Sequence, residues 1–283
     1  MKYSVRKTWA DSFNLLRTNP VVILPFLIIA FLEALALEII YFAPRKPLAY
    51  LFSPVIRKMF GEPFNHYPSN FLAMPKLFYY AQVAIYILVG VLLTAISIGM
   101  VKNVRERLPL KAKALIKNAL KRYLSLFTYG LVVIILVVIL KRADGIVFTK
   151  AVKLLIKYLP QGFVKIIPFL STVFIFLTNL LLQTFLILTV PIIVIRKKMF
   201  IKALGQSIIL GLKNFRSVFS LIFLPLMIYL PVALLKTGAP KIMDQTFPEM
   251  NLFIEGFGIV LTVLVECFIV VCAANFLLDK EKS

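Results

Sequence analysis

Histidine, cysteine and acidic residues are scarce in this sequence of 283 residues. It contains one histidine, His66, and two cysteines, Cys267 and Cys272, which lie together in one long apolar stretch. A transition-metal site draws several ligands from these residue types, so a single histidine far from both cysteines predicts that there is none. Because positions five apart do not share a face of a helix, we expect the cysteines to be reduced packing residues.

Motifs for the common catalytic chemistries are also missing. The chain has no phosphate-binding P-loop, no dinucleotide fingerprint, no nucleophile elbow and no metalloprotease helix motif. None of the segments between its apolar runs is long enough to fold as a separate catalytic domain. We therefore expect a protein that is not an enzyme and that uses no cofactor.

Apolar residues are in excess: they make up 61% of the chain, with a mean hydropathy of +0.93. A soluble domain is about 45–50% apolar. Six continuous runs hold the excess, each near the roughly 20 residues that a helix needs to cross a bilayer. Membrane barrels alternate in polarity instead, and helices satisfy their own backbone hydrogen bonds in lipid. The sequence predicts an all-α integral membrane protein with six transmembrane helices in a single domain, 1–283. The runs are Val21–Tyr41, Leu77–Val101, Leu124–Leu140, Ile166–Ile195, Val218–Leu235 and Phe253–Leu278.

Positive charge is the second excess, with 33 Lys and Arg against 12 Asp and Glu. Twenty of the 33 basic residues lie before span one, between spans two and three, between spans four and five, or after span six. The positive-inside rule then places both termini in the cytoplasm and the protein in the cytoplasmic (inner) membrane. Nucleic acid is not an expected partner, because the basic residues flank spans instead of forming a soluble module.

Three basic segments, one before each odd-numbered span, share a design. In each, large apolar residues recur at helical spacing beside lysines, as is typical of a helix in the membrane interface. Residues 7–19 and 202–214 align without a gap at Lys, Ser, Leu and Asn. We predict three repeats of an interfacial amphipathic helix plus a helical hairpin, at about 1–103, 104–198 and 199–283. The lysines expected to contact lipid headgroups are Lys7, Lys113, Lys117, Lys121, Lys202 and Lys213.

Polar residues inside the spans form the candidate site. In span six, Glu255, Thr262 and Glu266 are separated by seven and four residues, which places them on one helix face. Span four repeats this spacing with Thr172, Asn179 and Gln183.

Our hypothesis is that the two stripes face one another inside the bundle, near Glu33 of span one. A neutral Glu266 would then donate a hydrogen bond to Asn179 or Gln183. This site is either a structural interhelical hydrogen bond, a proton- or substrate-coupled pathway, or a contact with lipid headgroups.

Two segments carry a resemblance to known proteins. Arg6–Pro20 and Lys202–Phe215 resemble segments of uncharacterised bacterial and archaeal membrane proteins with six spans. Related domains are similar to the membrane domain that precedes some glycerophosphodiester phosphodiesterases. The resemblance implies an all-helical domain of the cytoplasmic membrane. It implies no catalysis, because the catalytic histidines of the phosphodiesterase domain have no counterparts here.

The leading interpretation is a non-enzymatic membrane protein that acts through lipid binding, membrane organisation or the scaffolding of partners. Its expected partners are membrane lipids, chiefly anionic ones, and a second copy or another membrane protein remains open. The alternative is a transporter of small molecules or lipids that uses the polar site around Glu266.

Overall fold

The fold is all-α. The computed structural model describes residues 5–156, 167–243 and 248–282, and these residues form helices and no strand. Six stretches are long and apolar enough to cross a membrane, which confirms the prediction of an all-α membrane protein with six spans. The spans are Pro20–Phe42, Ser69–Arg105, Tyr123–Ile146, Val173–Ile195, Phe215–Lys236 and Met250–Glu281.

Twelve α-helices make up most of the described chain. A π-helical turn, Tyr86–Gly90, joins two of them within span two, and 3₁₀ turns at Pro20–Ile23 and Glu62–Asn65 precede two others. The helices are α1 Val5–Thr18, α2 Leu24–Phe42, α3 Ala49–Phe60, α4 Ser69–Ile85, α5 Val91–Arg105, α6 Ala112–Leu120, α7 Tyr123–Ile156, α8 Ile167–Leu186, α9 Thr189–Ile195, α10 Phe200–Lys213, α11 Phe215–Met243 and α12 Met250–Lys282.

The six spans are arranged in a ring. Span one (α2) packs on spans two and six, span three (α7) on spans two and four, and span five (α11) on spans four and six. Each odd-numbered span therefore lies between its own hairpin partner and the even-numbered span before it. The even-numbered spans meet one another through α5, α9 and α12, where Ile98, Ile193 and Phe276 are fully buried.

The basic helices α1, α6 and α10 follow the same cyclic order. Helix α1 packs on span six, α6 on span two and α10 on span four, so each lies against the even-numbered span that precedes it around the ring. This is the arrangement that three repeated units would produce. The repeat boundaries themselves, near residues 103 and 198, stay a prediction.

Small residues hold α1 and α10 against the bundle. Ser12 and Ser207, which the sequence alignment pairs, are both fully buried. The Asn275 side-chain amide donates a hydrogen bond to Ser12 Oγ over 2.9 Å, and Ser207 Oγ donates to the carbonyl of Phe185 over 2.6 Å. Small residues permit this close approach between membrane helices. Leu15 of α1 is buried beside Ser12, whereas other large apolar residues lie on the outer side, among them Phe13, which is 62% exposed, and Ile201, which is 79% exposed.

Ion pairs join the ends of the even-numbered spans. Arg105, at the end of span two, contacts Asp279 at the end of span six and also Asp11 of α1. Arg196, just after span four, contacts Glu281 with 2.9 Å between Nε and Oε1. Ion pairs therefore connect the ends of spans two and four to the end of span six. We call this side of the molecule, with α1, α6 and α10, the basic end; α3 lies at the opposite end.

Candidate functional site

The acidic residues of the basic end are all engaged in ion pairs. Its four acids are Asp11, Glu106, Asp279 and Glu281, and in the described part of the chain they form ion pairs with Arg105, Lys102 and Arg196. The remaining basic residues at this end therefore outnumber the acids available to neutralise them. The basic end carries a strong uncompensated positive charge.

The six lysines predicted to contact lipid are all exposed. They form no ion pair with any residue that the structure describes. Exposed apolar side chains lie on the same three helices, among them Phe13 on α1, Ile116 on α6 and Ile201 on α10. This combination suits a helix with its apolar side among acyl chains and its lysines among headgroups.

The intramembrane acids near the opposite end have partners that the sequence did not reveal. Glu33 of span one is 8% exposed and accepts a hydrogen bond of 3.1 Å from the side-chain amide of Gln82 in span two. Glu255 of span six forms an ion pair of 2.5 Å with Lys236 of span five. Glu33 also interacts electrostatically with both members of that ion pair. Three spans thus bring their charged residues together.

Lys236 reaches Glu255 because of a glycine. The sequence pattern assigned Lys236 to the loop after span five, whereas helix α11 continues through it to Met243. A Cβ at Gly258 would lie 3.0 Å from Lys236 Nζ and 3.0 Å from Cε. Because Gly258 has no side chain, the side chain of Lys236 can pass over span six at this position and reach Glu255.

Glu266 faces the interior of the bundle, yet neighbouring protein atoms cover its side chain only in part. The lipid-facing side of α12 carries Phe253, Phe257, Val260 and Leu264, all more than half exposed. At 100° per residue, Glu266 lies on the opposite side of the helix, and its side chain is nevertheless exposed. An interior position of span six is therefore incompletely covered by protein.

Gln183 of span four occupies a similar position. Its side chain is exposed, on the side of α8 opposite Phe174, Leu177 and Leu181, which face lipid. Helix α8 packs on α7, α10 and α11, while span four reaches α12 through the shorter α9. Two residues on interior helix sides, Glu266 of span six and Gln183 of span four, are thus incompletely covered by protein. We call the region of the bundle between these two residues the chamber.

The predicted hydrogen bond across the chamber is absent among the described residues. Asn179, which is half-buried, donates its amide to the carbonyl of Ile175 in its own helix over 2.8 Å. Gln183 and Glu266 have no hydrogen bond to one another, and Thr262 is half-buried beside Glu266. The side chain of Thr172 lies outside the described ones. The two polar stripes therefore share the interior without touching.

A π-helical turn in span two lies near Glu266. Tyr86 begins the turn, and both it and Tyr129 of span three interact electrostatically with Glu266. The carbonyl of Leu88, within this turn, accepts a hydrogen bond of 3.0 Å from the hydroxyl of Tyr123. Single π-helical turns within α-helices are frequent at functional sites. The carboxyl of Glu266 and the phenols of Tyr86 and Tyr129 therefore lie near one another inside the bundle.

No family model, curated protein or solved structure matches this chain.

Proposed function

We propose that this polytopic membrane protein is not an enzyme and binds anionic lipids at its basic end. The observation that carries the proposal is that six exposed lysines on three helices have no acidic partner among the described residues. Each Lys or Arg near an anionic surface contributes about 1 kcal/mol to membrane attraction. Three such helices around one ring would gather several anionic lipids under a single protein.

The same charge distribution supports an orientation. With the basic end in the cytoplasm, both termini lie there, in the cytoplasmic (inner) membrane. Lipids gathered at this end would let the protein organise the membrane or hold partners, either a second copy or another membrane protein. The resemblance to the membrane domain of some phosphodiesterases implies the same membrane and stays a prediction.

The test compares two charge-reversed triple variants by native mass spectrometry from nanodiscs of mixed phosphatidylglycerol and phosphatidylcholine. Changing Lys113, Lys117 and Lys121 to Glu is expected to lower the retained phosphatidylglycerol by about tenfold or more. The control changes Lys46, Lys58 and Lys76 at the opposite end to Glu and makes the same change in net charge. Equal retention in the two variants would contradict the proposal.

A second candidate function is transport of a small polar molecule or lipid through the chamber. The exposure of Glu266 and Gln183 on interior helix faces supports this candidate. Ionisable residues at membrane depth commonly mark substrate or ion pathways.

Access of water to the chamber tests this candidate. In a background with Cys267 and Cys272 changed to Ala, Glu266→Cys is expected to react with a charged, membrane-impermeant thiol reagent, because a thiolate forms only in contact with water. Leu264→Cys, on the lipid-facing side of the same helix, serves as the control. A Glu266→Cys variant as unreactive as Leu264→Cys would eliminate an aqueous pathway.

A further inference from the structure

A groove runs along the outside of the bundle between spans one and six. Its volume is about 570 Å³, within the roughly 300–1,000 Å³ of small-molecule sites. Phe31 on α2 and Val260 on α12 line it and are 67% and 56% exposed. The groove therefore opens sideways, toward the hydrocarbon that surrounds these spans. Apolar chains of lipids are the molecules that reach it there.

Small residues create the groove. Ala30 and Ala34 line it from span one, and Gly256 lines it from span six. A Cβ placed on Gly256 would meet no atom within 4 Å, so the space in front of this glycine is empty of protein. A larger residue at Gly256 would therefore fill the groove without displacing its neighbours.

The groove ends among charged side chains. Glu38 and Tyr41, in the last turns of α2, line this mouth. Arg45 folds back over the end of the helix, with its guanidinium carbon 5.0 Å from the ring centre of Tyr41 and 5.3 Å from that of Phe42. Its Nη2 also donates a hydrogen bond of 3.3 Å to the Tyr41 hydroxyl. The guanidinium is thus held beside Tyr41. Tyr41 lies about one helical turn after Glu38 in α2.

Opposite charges flank this mouth without neutralising one another. Neither Glu38 nor Arg45 forms an ion pair with any described residue. A guanidinium held on aromatic rings presents its remaining donors in the fork that suits a phosphate. The carboxylate of Glu38 complements an ammonium group and repels an additional negative charge. The mouth therefore suits a headgroup that carries one charge of each sign.

We propose that the groove binds one zwitterionic aminophospholipid from the leaflet at the opposite end. One acyl chain lies in the groove against Gly256, the phosphate contacts Arg45, and the ammonium contacts Glu38. This site is separate from the anionic-lipid surface of the basic end, and it does not depend on that function. It differs in location, in leaflet and in the charge of the lipid that it selects.

The experiment counts lipids that remain bound in native mass spectra of protein released from nanodiscs of phosphatidylethanolamine and phosphatidylglycerol in equal amounts. The wild-type protein is expected to retain one phosphatidylethanolamine, and Gly256→Leu is expected to lose it. The matched control is Gly205→Leu on α10, where a Cβ also meets no atom within 4 Å. Leu favours helix more than Gly does, so both variants are expected to fold. Retention by Gly256→Leu equal to that of the control would overturn the proposal.

The headgroup contacts are tested separately in the same lipid mixture. Arg45→Gln and Glu38→Gln are each expected to lower occupancy by about tenfold, the effect of losing one charge-assisted contact. A lipid that Gly256→Leu displaces but that neither charge variant weakens would overturn the headgroup assignment. The lysine reversals at the basic end are expected to leave this lipid in place, which separates the two lipid sites.

Discussion

At the scale of single residues, helical spacing indicates a shared face but not the contacts that its side chains make. Spacing predicted one face for Glu255 and Glu266; Glu255 is buried, as is Glu33, and Glu266 lies on the interior side of α12. Neither Gln82 nor Lys236 was predicted to be a partner of these acids. Gln82 is followed by apolar residues at the spacing of the polar stripes, and Lys236 follows the last apolar residue of span five, where a loop was expected. Spacing along one helix defines a face, whereas a partner depends on how neighbouring helices are rotated.

The Lys236–Glu255 ion pair leads to a prediction about stability. Glu255 is 7% exposed and Lys236 is 23% exposed, so removing one partner leaves a charge with little solvent. Glu255→Leu is expected to lower the free energy of unfolding by about 3 kcal/mol, and the double variant Lys236→Met/Glu255→Leu by much less. Thermal unfolding in detergent measures both.

An exposed ion pair provides the control for this comparison. Arg57 and Glu62 are 62% and 54% exposed, so Glu62→Leu is expected to change stability by less than about 1 kcal/mol. A double variant as unstable as the Glu255→Leu single variant would show that lost packing, not an unpaired lysine, causes the effect.

At the scale of helices, the sequence predicted the spans and the three basic helices well, because long apolar runs and lysine periodicity are strong signals. It did not predict which side of α1 and α10 contacts the bundle. In water the large apolar residues would face the core, but in a membrane they can face lipid while small residues pack. The buried residues of these helices are accordingly mostly small: Thr8 and Ser12 on α1, together with the larger Leu15, and Ala203, Ser207 and Gly211 on α10. The π-helical turn at Tyr86 has no counterpart in the apolar pattern of span two.

At the scale of the whole molecule, the last span closes the ring. Its acids, Asp279 and Glu281, form ion pairs with Arg105 at the end of span two and Arg196 just after span four. The sequence pattern did not predict these ion pairs, because the partners lie more than 80 positions apart along the chain. The acids of the basic end thus pair with arginines and a lysine of the protein itself, and the six lysines of the proposed lipid surface remain exposed.

Arg105→Glu tests whether this closure stabilises the fold. Arg105 is 25% exposed and contacts two carboxylates, so its reversal removes charge-assisted bonds and places three negative charges together. We expect the free energy of unfolding to fall by about 2 kcal/mol or more, measured by thermal unfolding in detergent. The compensating variant Arg105→Glu/Asp279→Arg is expected to recover part of the loss, because it restores one pair. Lys102→Glu, which breaks the local pair with Glu106 at the end of α5, is the control, with an expected loss of about 0.5 kcal/mol. If Arg105→Glu costs no more than this control, the contact between spans two and six does not hold the ring closed.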